Sequence, residues 1–344
     1  MRRFYIKLFS WEYWPIWVVY FPTGFYFTFL SLKARSFFFF SASNPTIETG
    51  GMFFESKWEI FQLMPKEYYP TTILITETDN AISIKKKLEQ AAIDFPLIAK
   101  PDRGGRGWCV KKINSMDELT DYKEKMNVAF LIQHYVVYPI ELSIFYYRNP
   151  TTNKGVITSV TRKKMLSVIG NGYSNIDELI RHNDRSFLQY NKLKLQNKID
   201  FAKILKKGEE EIIVPYGNHV LGATFLDYAY IIDEKLTNTI DAISKKIDGF
   251  YYGRYDLRCN SIEELKHGKN FSILELNGAG AEPAHIYEPG YPFLKGQAVI
   301  FKHFSMMYRA AKENNKKGVP YMSYQAFKNI QKLDRDYRQK VTLA

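Results

Sequence analysis

Cysteine is almost missing: the 344 residues contain two, Cys109 and Cys259, far apart and without metal-ligand spacing. That excludes a disulfide scaffold and a zinc ribbon, and reads as a reduced, cytoplasmic-facing protein. No Cys/His or Ser/His/Asp pairing is evident, so no nucleophilic side chain is expected to carry the chemistry. Internal repeats and low-complexity linkers are also lacking, which excludes a solenoid or a string of tethered modules. Acid is scarce: 36 Asp and Glu face 48 Lys and Arg, a net charge of +12. Such a balance points to an anionic partner: a nucleotide, a nucleic acid or an acidic membrane surface. A chain that is 46% hydrophobic and 24% charged is globular, with length for one large domain or two ordinary ones.

Charge vanishes from Tyr13 to Leu32, "YWPIWVVYFPTGFYFTFLSL", while Arg2, Arg3 and Lys7 precede the run and Lys33 and Arg35 follow it. A spanning helix needs about 20 apolar residues. Here Pro15, Pro22 and Gly24 interrupt the run, and its aromatics are those of a membrane interface. No small-residue cleavage site makes it a signal peptide. Three readings stay open at this point: an interfacial or re-entrant anchor, a buried lobe or homodimer surface, and a transmembrane helix. The expectation is peripheral attachment to the anionic inner face of a membrane, with the body in the cytoplasm.

Downstream, periodicity predicts helices over Glu55–Met64, "AISIKKKLEQAAI", "SMDELTDYKEKM" with Ser115 as cap, "SNIDELIRHN" capped by Ser174 or Asn175, Lys192–Lys207 and "TNTIDAISKKI". From Gly296 onward the chain reads as a basic, mostly helical tail. Strands are expected in "TTILITE", on both sides of the Gly-rich turn in "FPLIAKPDRGGRGWCVKKI", and in "AFLIQHYV", "IELSIFYYR", "KGVITSVTRKK", "GFYYGRYDLRCN" and "NFSILELN". Strands and helices mix without a strict βαβ period, which favours an α+β fold over a doubly wound sheet.

Lys100 ends an apolar strand before Gly104, Gly105 and Gly107, where backbone N–H groups can approach phosphates. Strand–turn–strand is neither a P-loop nor a dinucleotide fingerprint. In "LIQHYVVYPIELSIFYY" a connector between strands suits an adenine edge, and Glu141 suits ribose hydroxyls. "GRYDLR" puts Arg254 and Asp256 on one strand face, and "LELNG" puts Glu275 and Asn277 on one face of another. Two carboxylates and a carboxamide are oxygen donors of the kind Mg²⁺ takes together with phosphate. Arg162, Lys163 and Lys164 face either a substrate carboxylate or phosphates, or form a solvated basic face, on this reading.

These stretches together resemble the ATP-grasp superfamily, in particular the D-alanine–D-alanine ligase and cyanophycin synthetase branch, from about Glu55 to Pro289. The resemblance implies two α+β lobes gripping ATP. Lys57 and Lys100 correspond to its ATP lysines, Gln133, His134, Tyr135 and Val136 to its adenine connector, and Glu141 to its ribose carboxylate. Arg254 corresponds to the arginine on the transferred phosphoryl group, and Asp256, Glu275 and Asn277 to the Mg²⁺ ligands. Asn218 corresponds to a candidate phosphate or substrate position; Arg162, after its strand, and His285, just past the glycines, are further candidate substrate contacts read from their places in the chain. "MLSVIGNGYSNIDELI" is similar to the cyanophycin-branch "VVGDGxxTIxELI". The implied division is an aromatic segment over 1–54, a small lobe over 55–127, a large lobe over 128–310 and a basic tail over 311–344. The usual N-terminal domain is replaced by the aromatic segment, which removes the usual carrier of one substrate site. The implied activity is ADP-forming ligation of a small-molecule or peptide carboxylate to an amine through an acyl phosphate. The alternatives are a kinase, or a non-catalytic frame at a membrane or nucleic acid; no specific nucleic acid is expected.

Overall fold

The computed structural model describes residues 1–105, 107–196 and 199–341. Two helices open the chain, α1 (Arg2–Phe9) and α2 (Ile16–Ala34). α2 runs through Pro22; in the same turn the Val19 carbonyl accepts a hydrogen bond from Gln297 Nε2 at 2.9 Å. Side-chain help of this kind lets a helix tolerate proline. α3 (Lys57–Leu63) starts at Ser56, whose Oγ accepts from the Glu59 N–H at 3.1 Å.

The small lobe contains β1 (Thr72–Ile75), α4 (Ala81–Ala91), β2 (Leu97–Pro101), β3 (Lys111–Ile113), α5 (Met116–Lys125) and β4 (Phe130–His134). Its antiparallel sheet has the order β1-β4-β2-β3. Ile84 and Leu88 of α4 and Leu119 and Tyr122 of α5 cover one face of it.

The large lobe has β5 (Ile140–Arg148) and β6 (Gly155–Lys164), then an excursion through β7 (Leu166–Ile169), α6 (Ile176–His182), α7 (Asp184–Gln196) and β8 (Glu210–Val214). It continues with β9 (Thr224–Asp227), α8 (Glu234–Lys245), β10 (Tyr252–Cys259), α9 (Ile262–Lys266) and β11 (Phe271–Asn277). The main sheet is antiparallel, in the order β11-β10-β5-β6-β9. Both of its faces are covered, which explains the unbroken apolar run of β5. Leu142, Ile144 and Tyr146 pack with Leu236, Ile240 and Ile243 of α8. Phe145, Tyr147 and Tyr252 pack on the other face with Met307, Tyr308 and Ala311 of α10 (Phe293–Lys316). α10 stops short along that second face, and the polar ends of the strands beyond it form the floor of a cleft.

Several expectations need correction. β4 pairs with β1 and β2, so the small lobe runs past residue 127. The basic helix is α7, ending at Gln196 and not spanning Lys192–Lys207; residues 197–198 lie outside the described residues. The tail is no separate unit. α10 crosses the 310/311 boundary inside the large-lobe core, and α11 (Tyr324–Gln339) reaches back to the small lobe, where Tyr337 Oη donates to the Ala129 carbonyl at 2.9 Å. Residues 342–344 of the expected tail are outside the described residues. Most of the run from Tyr13 to Leu32 is the helix α2, which begins at Ile16 and is packed on one side. No helix among the described residues is long and apolar enough to cross a membrane.

Candidate active site

The cleft holds about 770 Å³ between the lobes. Strand register builds its floor. Asp256 lies opposite Glu275, and Arg254 opposite Asn277, across β10 and β11. On the other side of β10, Asp256 faces Ser143 and Arg258 faces Glu141 of β5, and Glu141 faces Lys163 of β6. The period of two puts all these side chains on one face.

Asp256 is 6% exposed and encircled by donors. Ser143 Oγ donates to Oδ1 at 2.5 Å, Arg254 Nε to Oδ1 at 3.0 Å and Arg254 Nη2 to Oδ2 at 3.1 Å, with Lys163 Nζ 3.3 Å from Oδ2. Burial alone would push this carboxyl up. Arg254 and Lys163 outweigh burial and hold it well below the usual carboxylate range. Glu141 is held by Arg258, with Nε 3.1 Å and Nη2 3.0 Å from Oε2. Arg258 also donates to the Val136 carbonyl at 2.9 Å, tying the connector to the floor.

The roof comes from β2, β4 and the Gly-rich turn. Lys100, 6% exposed, donates to Gln133 Oε1 at 3.0 Å and to the Leu274 carbonyl of β11 at 2.9 Å, so it spans both lobes. Burial pulls its pKa down to about 8. Lys57 Nζ donates to the Gly104 carbonyl and lies 3.9 Å from Glu275 Oε1. Asp102 fixes that lysine's helix, its Oδ1 accepting from Ser56 Oγ at 2.9 Å and from the Trp58 N–H at 2.8 Å. Gly107 has φ +73° and abuts the Asn218 side chain, which leaves no room for a Cβ.

The N-terminal segment supplies a wall. Trp14, Ile16 and Val19 line the cleft together with Glu12, which accepts from Arg185 Nη2 at 2.5 Å and lies 2.8 Å from His219 Nε2. Burial would push the Glu12 carboxyl up; His219 and Arg185 prevail and hold it down. Glu55, on the same lining, has a buried Oε2 without a hydrogen-bond partner, and burial pushes its carboxyl up.

The structure thus gathers Lys57, Lys100, Gly104, Gly105, Gly107, Gln133, His134, Tyr135, Val136, Glu141, Asn218, Arg254, Asp256, Glu275 and Asn277 around one cleft. Two candidates are not there. Arg162 points to the opposite face of β6, where Nη1 donates to Tyr228 Oη at 2.8 Å; its neighbour Lys163 takes the cleft side. His285 is 6% exposed beneath the lining, its ring edge-on to Tyr291. Gln133 differs in role: its oxygen serves Lys100 and its Nε2 donates to Thr72 Oγ1 at 2.9 Å, so its carboxamide is turned inward. Gly278 and Gly280, directly after Asn277, admit another backbone. Ala279 N donates to the Gly50 carbonyl at 2.9 Å and Gly280 N to the Gly51 carbonyl at 2.8 Å. Sequence reasoning missed Glu12, Glu55, Ser143 and Arg258. For Ser143 and Arg258 the two-residue period from Glu141 and Asp256 was a usable signal.

Among the described residues no group of three His, Cys, Asp or Glu side chains is placed to hold a metal ion. The expected donor set is of another kind, two carboxylates and the Asn277 carboxamide, all oxygen. These oxygens are of the type a hard cation takes together with water and phosphate, but here Asp256 is bound by Ser143, Arg254 and Lys163, and Asn277 Nδ2 donates to Asp256 Oδ2 at 3.4 Å.

No protein-family profile and no curated protein sequence matches the chain. Its structure is similar to that of a bifunctional glutathione synthetase from Pasteurella multocida, with TM-score 0.41, 16% identity, 72% of this chain covered and 36% of that one. It is similar to a D-alanine–D-alanine ligase from Bacillus anthracis, with TM-score 0.44, 13% identity and coverage of 78% and 68%. A D-Ala:D-Ser ligase from Enterococcus faecalis gives TM-score 0.43, 13% identity and coverage of 76% and 62%. The chain therefore spans about a third of the first protein's length and about two thirds of the other two. At these TM-scores the likeness carries nothing about the site, which stands on its own residues.

Proposed function

We propose that the chain is an ATP-grasp ligase that joins a carboxylate to an amine with release of ADP and phosphate. The observation that supports this best is the convergence on one cleft of five cations, Lys57, Lys100, Lys163, Arg254 and Arg258, with the oxygen donors Glu141, Asp256, Glu275 and Asn277. In this reading Lys57, Lys100 and the Gly104–Gly107 turn hold the ATP phosphates. Tyr135, Val136 and Glu141 hold the nucleoside. Arg254 meets the phosphoryl group in transfer.

The substrate carboxylate attacks the γ-phosphate, ADP leaves, and the amine displaces phosphate from the acyl phosphate while losing a proton. The first step joins two anions, which repel by about 4 kcal/mol at about 4 Å and an effective dielectric near 20. Lys57, Lys100 and Arg254 offset that repulsion from fixed positions. Asp256, Glu275 and Asn277 would hold Mg²⁺, which supplies further positive charge to the phosphates when bound. The partners are a small-molecule or peptide carboxylate and an amine, and the enzyme works in the cytoplasm, peripherally attached to a membrane.

The test is a screen of amino acids, short peptides and hydroxy acids scored by phosphate release, with ADP release measured with and without added amine. ADP formation indifferent to every amine would point to a kinase; no ATP turnover with any pair would defeat the ligase reading.

A further inference from the structure

α2 carries Trp17, Phe21, Phe25, Phe29 and Leu32 along one side, with relative exposures of 71, 64, 68, 55 and 66%. The spacing of four, four, four and three residues makes them one stripe on a helix. α1 adds Phe4, Tyr5, Leu8 and Phe9, all exposed. This is not a helix awaiting its core, because the other side is sealed. Val19 and Leu30 are 1% and 3% exposed, Tyr26 packs on Phe301 at 4.9 Å, and Tyr26 Oη lies 2.8 Å from Ser305 Oγ.

The exposed charge that the segment itself carries has one sign. Glu12 is the sole carboxylate in residues 1–35, and it is turned inward to Arg185 and His219. Lys7, Lys33 and Arg35 are exposed at the ends of the two helices, and Lys295, Lys302 and Arg309 are exposed along α10, which supports α2. Two copies meeting through this face would set these cations against each other, the nearby exposed Asp184 being already paired with Arg2 at 2.7 Å. A bilayer with anionic headgroups answers them and takes the aromatics at its interface. The docking face and the cleft are also consecutive in sequence: Trp14 and Ile16 line the cleft, and Trp17 begins the stripe.

We infer that α1 and α2 form a docking surface for an anionic lipid monolayer, lying in its plane and holding the mouth of the cleft beside it. This gives a place to the peripheral attachment proposed above and does not depend on the ligase chemistry.

The experiment is flotation of the full-length chain with vesicles of phosphatidylcholine plus phosphatidylglycerol, and with phosphatidylcholine alone. Wild type is compared with the triple variant Trp17→Asp, Phe21→Asp, Phe25→Asp. These side chains face solvent, so ATP affinity by calorimetry should be unchanged in the variant and reports its fold. Wild type should float with the anionic vesicles, and less so as salt rises. The variant should partition at least about a hundredfold less, since each replacement removes an interfacial anchor and adds an anion. Wild type that binds ATP yet stays down with both vesicles overturns the docking surface and leaves the ligase reading standing. So does a variant that floats as well as wild type. A wild-type dimer that the triple variant converts to monomer, without flotation, assigns the face to a second copy.

Discussion

Lys100→Met is expected to stabilise the ATP-free protein and to weaken its ATP binding, both for one reason. The ammonium sits in a water-poor seam between lobes, and burial draws its pKa from 10.5 to about 8. That corresponds to about 3 kcal/mol against the charged form. Methionine keeps the unbranched stem without the charge. Its cost is that Gln133 Oε1 and the Leu274 carbonyl lose a donor, about 1 kcal/mol each. The net gain at pH 7 is then about 1 kcal/mol, or roughly one to two degrees in melting temperature.

The pH dependence separates this account from better packing. Below about 8 the lysine is charged in both folded and unfolded chains, and the full cost of burial is present. Between about 8 and 10.5 the unfolded chain holds a proton that the folded one has released, so this group makes stability rise with pH. Above that range the cost is gone. The advantage of Lys100→Met should therefore shrink through that window and turn into a deficit. ATP affinity should fall about tenfold or more in the variant, the scale of one lost charge-assisted hydrogen bond. Scanning calorimetry of both proteins from neutral to alkaline pH reads the first effect, and titration calorimetry with ATP the second. A variant less stable at pH 7, with the same pH slope as wild type and unchanged ATP affinity, would refute the reasoning.

Glu275→Gln should abolish phosphate release with a melting temperature close to wild type, since its side chain is 32% exposed and its nearest cation, Lys57 Nζ, is 3.9 Å away. Asp256→Asn should abolish it too, but with about 3 kcal/mol of destabilisation by chemical denaturation, because it leaves Arg254 and Lys163 buried around a neutral amide. Lys57→Ala should weaken ATP binding in calorimetry less than Lys100→Met, Lys57 being the less confined of the two lysines proposed to hold phosphate. Gly107→Ala should raise the apparent KM for ATP several-fold with little change in melting temperature, because it strains a φ of +73° in an exposed turn and pushes Asn218 aside.

Most of the cleft was legible because strands convert sequence into geometry by a period of two. "GRYDLR" and "LELN" each name one face, and antiparallel pairing then brings Asp256 to Glu275 and Arg254 to Asn277. The same period separates Arg162 from Lys163, although sequence alone does not say which face of β6 is the floor. Partners distant in sequence were beyond reach. Glu12 meets Arg185 and His219 only because the N-terminal segment folds across the mouth of the cleft, and no local pattern encodes that. Gln133 lies on the cleft as expected, but its hydrogen-bond partners, Lys100 and Thr72, are set by the burial of Lys100 opposite, which no local pattern shows. His285 misled by sequence distance alone, since a short 3-10 turn after the glycines carries it under the lining.

The aromatic segment is the larger lesson, since composition made it look detachable and packing makes it part of the large lobe. Asn44 is fully buried, and its Nδ2 donates to the Gly50 and Tyr252 carbonyls at 2.8 Å each while its Oδ1 accepts from the Tyr251 and Tyr252 N–H groups at 2.9 Å. One side chain thus pins the segment to the start of β10, two residues before Arg254. Gly50 and Gly51 then lie backbone to backbone against Ala279 and Gly280, directly after Asn277. The approach is so close that a Cβ at Gly278 would fall within 2.8 Å of Gly51 Cα. β11 therefore ends where it does partly because residues 44–51 hold its exit. A deletion through this segment would remove a supporting layer of the site as well as the exposed stripe of α2, so loss of activity after deletion would say nothing about lipid. Only substitutions confined to the outer side of α2 distinguish the two roles.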